Sequence, residues 1–262
     1  YNIEMNHFIQ AQKLENLKKI KLANAWLDPT FAKEITAANI YRKYLPTPEA
    51  SLLRLNVQGN YNGLYVNTEA VDKQFLQKQF NEKDGVLVKC DPVQVFCGNN
   101  TANGNPDLKW MGADSANYYN SYDVKSDHGW GKLMELIEKI NFDFDNLGDV
   151  LNIDRVLWAF AVNSAILNLD TYNGYYVHNY YLYRTEDGLF QMIPWDFDNS
   201  FAGAILGWDF FDPMVVYNYD AYGNQYAPNE RPLLEKLLDD PYYKKLYNAH
   251  LKTVYTESLI DT

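Results

Sequence analysis

The chain has 262 residues, enough for one large domain or two lobes around a substantial core. With 23 Lys and Arg against 34 Asp and Glu, its formal charge is −11. It therefore lacks the basic footprint that nucleic acid or an anionic lipid surface requires. No apolar run reaches the roughly 18 to 20 residues of a membrane span.

The chain opens in "YNIEM", which alternates like a strand and has no initiator Met, so the natural protein is expected to be longer at its N-terminus. A basic segment, "KLENLKKIKL", follows. Asp28 then reads as an N-cap and Pro29 as the first position of a helix carrying Phe31, Ile35, Ala38 and Tyr41 at helical spacing, ended by Pro46 and Pro48. The stretch "SLLRLNVQGNYNGLYVNTEAVD" predicts two alternating strands joined through Gly59-Asn60. A second helix is expected at about 73 to 80, then a short strand in "GVLVKC" and a polar loop, "GNNTANGNPD". Cys90 and Cys97 flank six residues that include Pro92; a small disulfide loop and two free thiols both remain open.

From 129 onward the pattern turns helical. "WGKLMELIEKI" and "NIDRVLWAFAVNSAILNL" read as helices, the second capped by Asn152 or Asp154. Two strands, about 177 to 184 and 188 to 194, turn around Glu186-Asp187-Gly188. A loop with Trp208, Asp209 and Asp212 precedes two closing helices, "RPLLEKLLDD" and "PYYKKLYNAHLKTVYTESLI".

The sequence contains no phosphate-loop, H-E-x-x-H or G-x-S-x-G motif. What it does contain is a set of polar groups inside an apolar stretch, residues 166 to 201: Asp170, Asn179, Asp196 and Asp198. A carboxylate taken out of water costs several kcal/mol unless something pairs with it. Asp and Asn oxygens are hard ligands suited to Mg²⁺, Mn²⁺ or Ca²⁺. An Asp, a following Asn and a further Asp after a hairpin is the order that protein kinases use to hold metal-bound phosphates. The spacing differs, since Asp170 and Asn179 are nine residues apart and Asp198, not Gly, follows Asp196-Phe197. The competing reading is that Asp196 and Asp198 cap a turn while Asn179 satisfies backbone groups.

The stretches "LNLDTYNGYYVHNYYLY" and "GLFQMIPWDFDNSF" closely resemble the CotH family, the spore-coat-type atypical kinases. Further matches lie in "LKKIKLANAWLDPTFAKEI", "LNVQGNYNGLYVNTEAVDKQFL", "DGVLVK" and "RPLLEKLLDDPYYKKLYNAHL". The resemblance implies an α+β, divergent protein-kinase-like fold. A small N-terminal α+β lobe (1–84), truncated at its start, would precede a larger, mostly helical C-terminal lobe (85–262), with the site hairpin between. It also implies transfer of the ATP γ-phosphate to Ser of a protein substrate, with Mg or Mn as cofactor and Ca as an alternative. Asp170 would be catalytic, Asn179 and Asp196 metal ligands, and Asp198 a secondary one.

The family's nucleotide-facing Lys is expected in or just before the opening strand, where this chain has Tyr1-Asn2, so that position is either lost or upstream. Glu34 on the Asp28-capped helix is either its natural partner or a solvated first-turn acid, Lys89 an alternative positive group or a Lys snorkelling at a strand end, and Glu69 a hinge residue facing adenine or an ordinary helix N-terminal acid. His178 is expected to orient the loop, and Tyr181 and Tyr183 to fill the core beside the site. The acidic charge, the Tyr and Asn content and the possible disulfide suit a secreted protein, and the resemblance implies a cell-surface or spore-associated location. The alternatives are a non-catalytic surface module holding Ca²⁺ at the same carboxylates and a nucleotide-binding pseudokinase.

Overall fold

The computed structural model describes residues 1–26, 28–92, 104–168, 170–174, 177–201 and 230–260. Its fold is α+β, with two four-stranded antiparallel sheets and several helices.

The first sheet contains β1 (Asn2–Glu4), β2 (Lys19–Ala23), β3 (Ala50–Val57) and β4 (Asn60–Thr68), in the order β1-β2-β4-β3. Strand β2 lies in the segment that reads as merely basic in the sequence; its Ile20 and Leu22 are buried. The hairpin between β3 and β4 turns at Gln58-Gly59, one residue earlier than expected. Both residues have positive φ, 51° and 83°, as a turn matched to strand twist requires. Helix α1 (Lys33–Tyr41) packs against β3 and begins four residues later than Asp28-Pro29 suggests. Asp28 still caps this entry: its carboxylate accepts from the Thr30 amide (3.0 Å), the Thr30 hydroxyl (2.5 Å) and the Lys33 amide (2.9 Å). Satisfying Thr30 first lengthens the lead-in by one turn.

Helix α2 (Lys73–Phe80) falls where the pattern places it, because Asp72 caps the amides of Gln74 (2.8 Å) and Phe75 (3.2 Å). Its Phe75 and Leu76 pack with Val71, Leu87, Tyr181, Tyr183, Ile193 and Trp195. Those last residues belong to, or directly follow, the second sheet: β5 (Val86–Cys90), β6 (Tyr122–Val124), β7 (Tyr180–Arg184) and β8 (Phe190–Pro194), ordered β6-β5-β7-β8. Strand alternation splits this sheet between two cores. Leu87, Tyr181, Tyr183 and Ile193 face α2, as expected for the two tyrosines, while Val86, Val88, Tyr180, Leu182 and Met192 face the main core.

The main core is completed by α3 (Trp130–Phe142), α4 (Ile153–Ala165), α5 (Pro232–Asp239) and α6 (Pro241–Val254). Asn152 caps α4 through the Arg155 amide at 3.1 Å. Cys90 is a buried free thiol, whereas Cys97 and the Trp208 to Asp212 loop lie outside the described residues. Among the described residues, no helix is long and apolar enough to cross a membrane.

Two neighbouring glycines make the packing at α3 testable. Gly129, before the helix, holds φ 149°, and a Cβ there would lie 2.4 Å from Val86 Cγ1; Gly131, in the first turn, has open space around it. Gly129→Ala is therefore expected to lose about 1–3 kcal/mol through strain and overpacking. Gly131→Ala should gain about 0.5–1 kcal/mol by removing backbone entropy from the unfolded chain. Denaturant unfolding of both variants reads the opposite signs directly.

Candidate functional site

Helix α4 ends at Ala165, and Leu167 turns the chain through a left-handed conformation, φ 52°. The Asn168 side chain then accepts from the Asp170 amide at 3.2 Å. Asp170 thus sits five residues beyond the helix and not at its end, as the sequence suggested. Its carboxylate is buried and held by three side chains. Oδ1 meets His178 Nε2, while Oδ2 accepts from Asn179 Nδ2 (3.0 Å) and Asn199 Nδ2 (2.9 Å).

Asn179 precedes β7 and lies outside the strand, with φ 58°, and Asp196 follows β8 with φ 57°. The Trp195 amide donates to Asn179 O at 3.2 Å and ties the two bends together. Left-handed non-glycine residues cost energy and tend to persist where a site dictates them. Here Leu167, Asn179, Asp196 and Phe201 all adopt that conformation around one carboxylate cluster. The loop closes when the Phe201 amide donates to Ile166 O at 2.6 Å.

A second set of contacts connects α1 to this loop. The buried Tyr41 hydroxyl donates to Asn163 Oδ1 on α4 and accepts from Asn168 Nδ2 at 3.1 Å. Its ring stacks on Phe197, centroids 4.6 Å apart, between Asp196 and Asp198. One turn or more earlier on the same helix, Glu34 is buried and accepts from Thr68 Oγ1 at 2.6 Å. Thr68 pairs across strands with Lys21 of β2.

Lys21 is the residue that sequence reasoning missed. Its Nζ lies 3.9 Å from the Trp195 ring centroid, and it lines a cavity of about 250 Å³ together with Asn2, Glu34, Thr68, Asp196 and Asp198. The sequence reading names no residue of β2 as a candidate, because the segment reads as basic. The signal was present: in "KIKLA" Ile20 and Leu22 alternate with Lys19 and Lys21, the mark of a half-buried strand.

The electrostatics of the cleft are those of crowded carboxylates. Burial pushes Asp198 up to about 8, with Asp196 and Glu34 adding to it. Burial and then Asp170 raise Asp196 as well. Glu34 is raised to about 7 by burial, against the Thr68 hydrogen bond. Burial, with Lys89 nearby, pulls Lys21 down to about 8 although Asp196 opposes it. His178 goes the other way: burial lowers it, but Asp170 and Asp91 outweigh burial and hold it up at about 9. Five acids, Asp91, Asp170, Asp196, Asp198 and Glu34, thus crowd around Lys21 and His178, a set of oxygen donors that suits a hard divalent cation. Among the described residues, no three His, Cys, Asp or Glu side chains are already drawn into a cation cage. Asp170 is instead turned to its three hydrogen-bond donors. Because Asn179 spends its amide nitrogen on Asp170, its carbonyl oxygen is left as the acceptor.

Of the remaining candidates, Glu69 lies apart from the cluster and Lys89 borders it. Glu69 accepts from Lys78 (3.2 Å) and from the Glu49 amide (3.2 Å), beside a separate cavity of about 260 Å³. Lys89 pairs with Asp91, which in turn faces His178.

Fold and site together define an α+β protein in which Lys21 and Glu34, from the first sheet and α1, share a cavity with Asp196 and Asp198, beside the buried Asp170 and Asn179. The family model of the CotH kinase proteins matches residues 1–262, and the chain belongs to that family. It is also similar to the inner spore coat protein H of Bacillus subtilis (strain 168), 24% identical over 253 residues. That match covers 94% of this chain and 64% of the relative, so the chain spans less than two thirds of the relative's length.

Proposed function

We propose that the chain is an atypical protein kinase that transfers the ATP γ-phosphate to Ser hydroxyls of a protein substrate, with Mg²⁺ or Mn²⁺ as cofactor. The observation that carries this reading is Lys21 and Glu34 meeting Asp196 and Asp198 across one cavity, in a chain of the CotH kinase family. In this reading residues 1–84 act as the smaller, N-terminal lobe and 85–262 as the larger one. Lys21 holds phosphate oxygens and is kept in place by Glu34. Asn179 and Asp196 hold the cation, with Asp198 as a secondary ligand. The cation, when bound, neutralises charge on the phosphate oxygens. Asp170 orients the acceptor hydroxyl, its carboxylate fixed by His178, Asn179 and Asn199. By analogy with the relative's name, the setting is spore-associated. With Lys21 as the phosphate-binding Lys, one of the supports for a non-catalytic Ca²⁺ module, the want of such a Lys, falls away.

Thermal unfolding with ATP and with Mg²⁺, Mn²⁺ or Ca²⁺, for wild type and Asp196→Asn, tests the reading. A ligand at about 100 times its Kd stabilises by roughly 2.7 kcal/mol, or about 5 to 10 °C for a chain of this size. The expected shift needs ATP and metal together and is lost in Asp196→Asn. A shift with Ca²⁺ alone, indifferent to ATP, would sink the kinase reading. ATP-dependent stabilisation without transfer to a Ser-rich acceptor would identify a pseudokinase.

A further inference from the structure

Asp91, just past β5, carries no role in the sequence pattern, yet it anchors a chain of contacts that ends at Asp170. Cys90 pairs with Tyr180 across the sheet, so the residues beyond them meet at the same sheet end. There Asp91 Oδ2 accepts from Lys89 Nζ, and Asp91 Oδ1 lies 3.3 Å from His178 Nδ1. His178 Nε2 reaches Asp170 Oδ1. A carboxylate oxygen stands at each ring nitrogen, so each nitrogen faces a hydrogen-bond acceptor. Lys89, Asp91, His178 and Asp170 thus form one continuous row of side-chain contacts. Side-chain exposure is 28% at Lys89, 21% at Asp91, 27% at His178 and 9% at Asp170. Charge-assisted bonds this sheltered from water are stronger and more directional than surface pairs.

Asp170 has three donors, but they are not equivalent. Asn179 is the expected cation ligand, and Asn199 also donates to Asp198 Oδ1 at 2.9 Å, so both are tied to groups that bound metal would rearrange. His178 is instead braced from behind by Asp91. We infer that Lys89, Asp91 and His178 form a relay that positions the Asp170 carboxylate for the acceptor hydroxyl. His178 is a positioning residue in it, and Asp91 sets the orientation of the ring. This rests on the phosphoryl-transfer reading of the same cleft. The logic is that of a buried Asp fixing a His in a hydrolase triad, except that here the oriented ring serves a carboxylate and takes no proton from substrate.

The test is steady-state kinetics of wild type, His178→Ala and Asp91→Asn, together with ring ¹⁵N–¹H spectra of histidine-labelled protein. Loss of such a supporting contact is expected to lower kcat by about 10- to 100-fold, with KM for ATP changed by less than about threefold. Asp91→Asn keeps the side-chain shape and so reads the relay even if His178→Ala folds poorly. Wild-type spectra should show two slowly exchanging His178 ring protons, and Asp91→Asn should lose the one on Nδ1. Unchanged kcat in both folded variants overturns the inference. So does a fall in kcat matched by an equal rise in KM, which would mark general loosening of the site. If wild type transfers no phosphate, the kinase reading falls, and the positioning role with it. Wild-type spectra without the two ring protons overturn the relay itself, whether or not transfer occurs.

Discussion

On the proposed function, Asp170→Asn is expected to stop phosphate transfer to a Ser-rich acceptor while ATP and metal still raise the unfolding temperature. The amide replaces a group that accepts three hydrogen bonds, two from Asn179 and Asn199 and one from His178, and leaves the surrounding backbone in place. An Asn side chain offers one acceptor oxygen and two donor protons, so at least one donor now meets another donor. The acceptor hydroxyl is then no longer oriented, and its proton has no receiving carboxylate. Loss of such a group costs about 10²- to 10⁴-fold in turnover. Radiolabelled transfer, run beside thermal unfolding in ATP and Mg²⁺, separates the two properties. Turnover undiminished in the variant would remove Asp170 from the role given to it.

Lys21→Met is expected to lower turnover by about 10²- to 10³-fold, the usual effect of deleting one electrostatic contact to a reacting group. Its effect on stability should run the opposite way. Burial and neighbouring Lys89 already pull the Lys21 ammonium down to about 8, so the ligand-free fold holds this charge at a cost. A Met side chain of similar length keeps contact with Trp195 without that penalty. The variant should therefore unfold at the same temperature as wild type, or higher, and respond less to ATP. Stability gained where function is lost is typical of residues kept for chemistry. A variant that phosphorylates at the wild-type rate would move the phosphate contact elsewhere, with Lys89 the next to examine.

Much of this was legible in the residues, and the reasons are physical. Helix α2 was readable because its signals are local: Asp72 caps it and Phe75 and Leu76 recur at helical spacing. The carboxylates stood out because Asp170, Asp196 and Asp198 sit where apolar neighbours make an unpaired charge expensive. Lys21 did not, because its strand is five residues long and lies in a Lys-rich run where one more Lys reads as surface. Its partner strand, β4, begins almost forty residues later, so only the register across the sheet reveals that Lys21 stands opposite Thr68, which donates to Glu34. Asp91 was hidden for the same reason, since its partner His178 is far along the chain. The bends at Asn179 and Asp196 were also beyond local reading, because their positive φ is imposed by tertiary contacts that no propensity encodes.

The phenol of Tyr41 has a consequence for how such a protein is switched. It ties the helix that carries Glu34 to two amides of the opposite half and to the ring of Phe197. Swinging that helix outward would strand a buried hydroxyl and two carboxamides, at about 1–3 kcal/mol for each group left unsatisfied. An outward-helix resting state is thus disfavoured from within. If the chain is the kinase proposed above, its control would then fall to supply: when nucleotide, cation and acceptor reach the cleft.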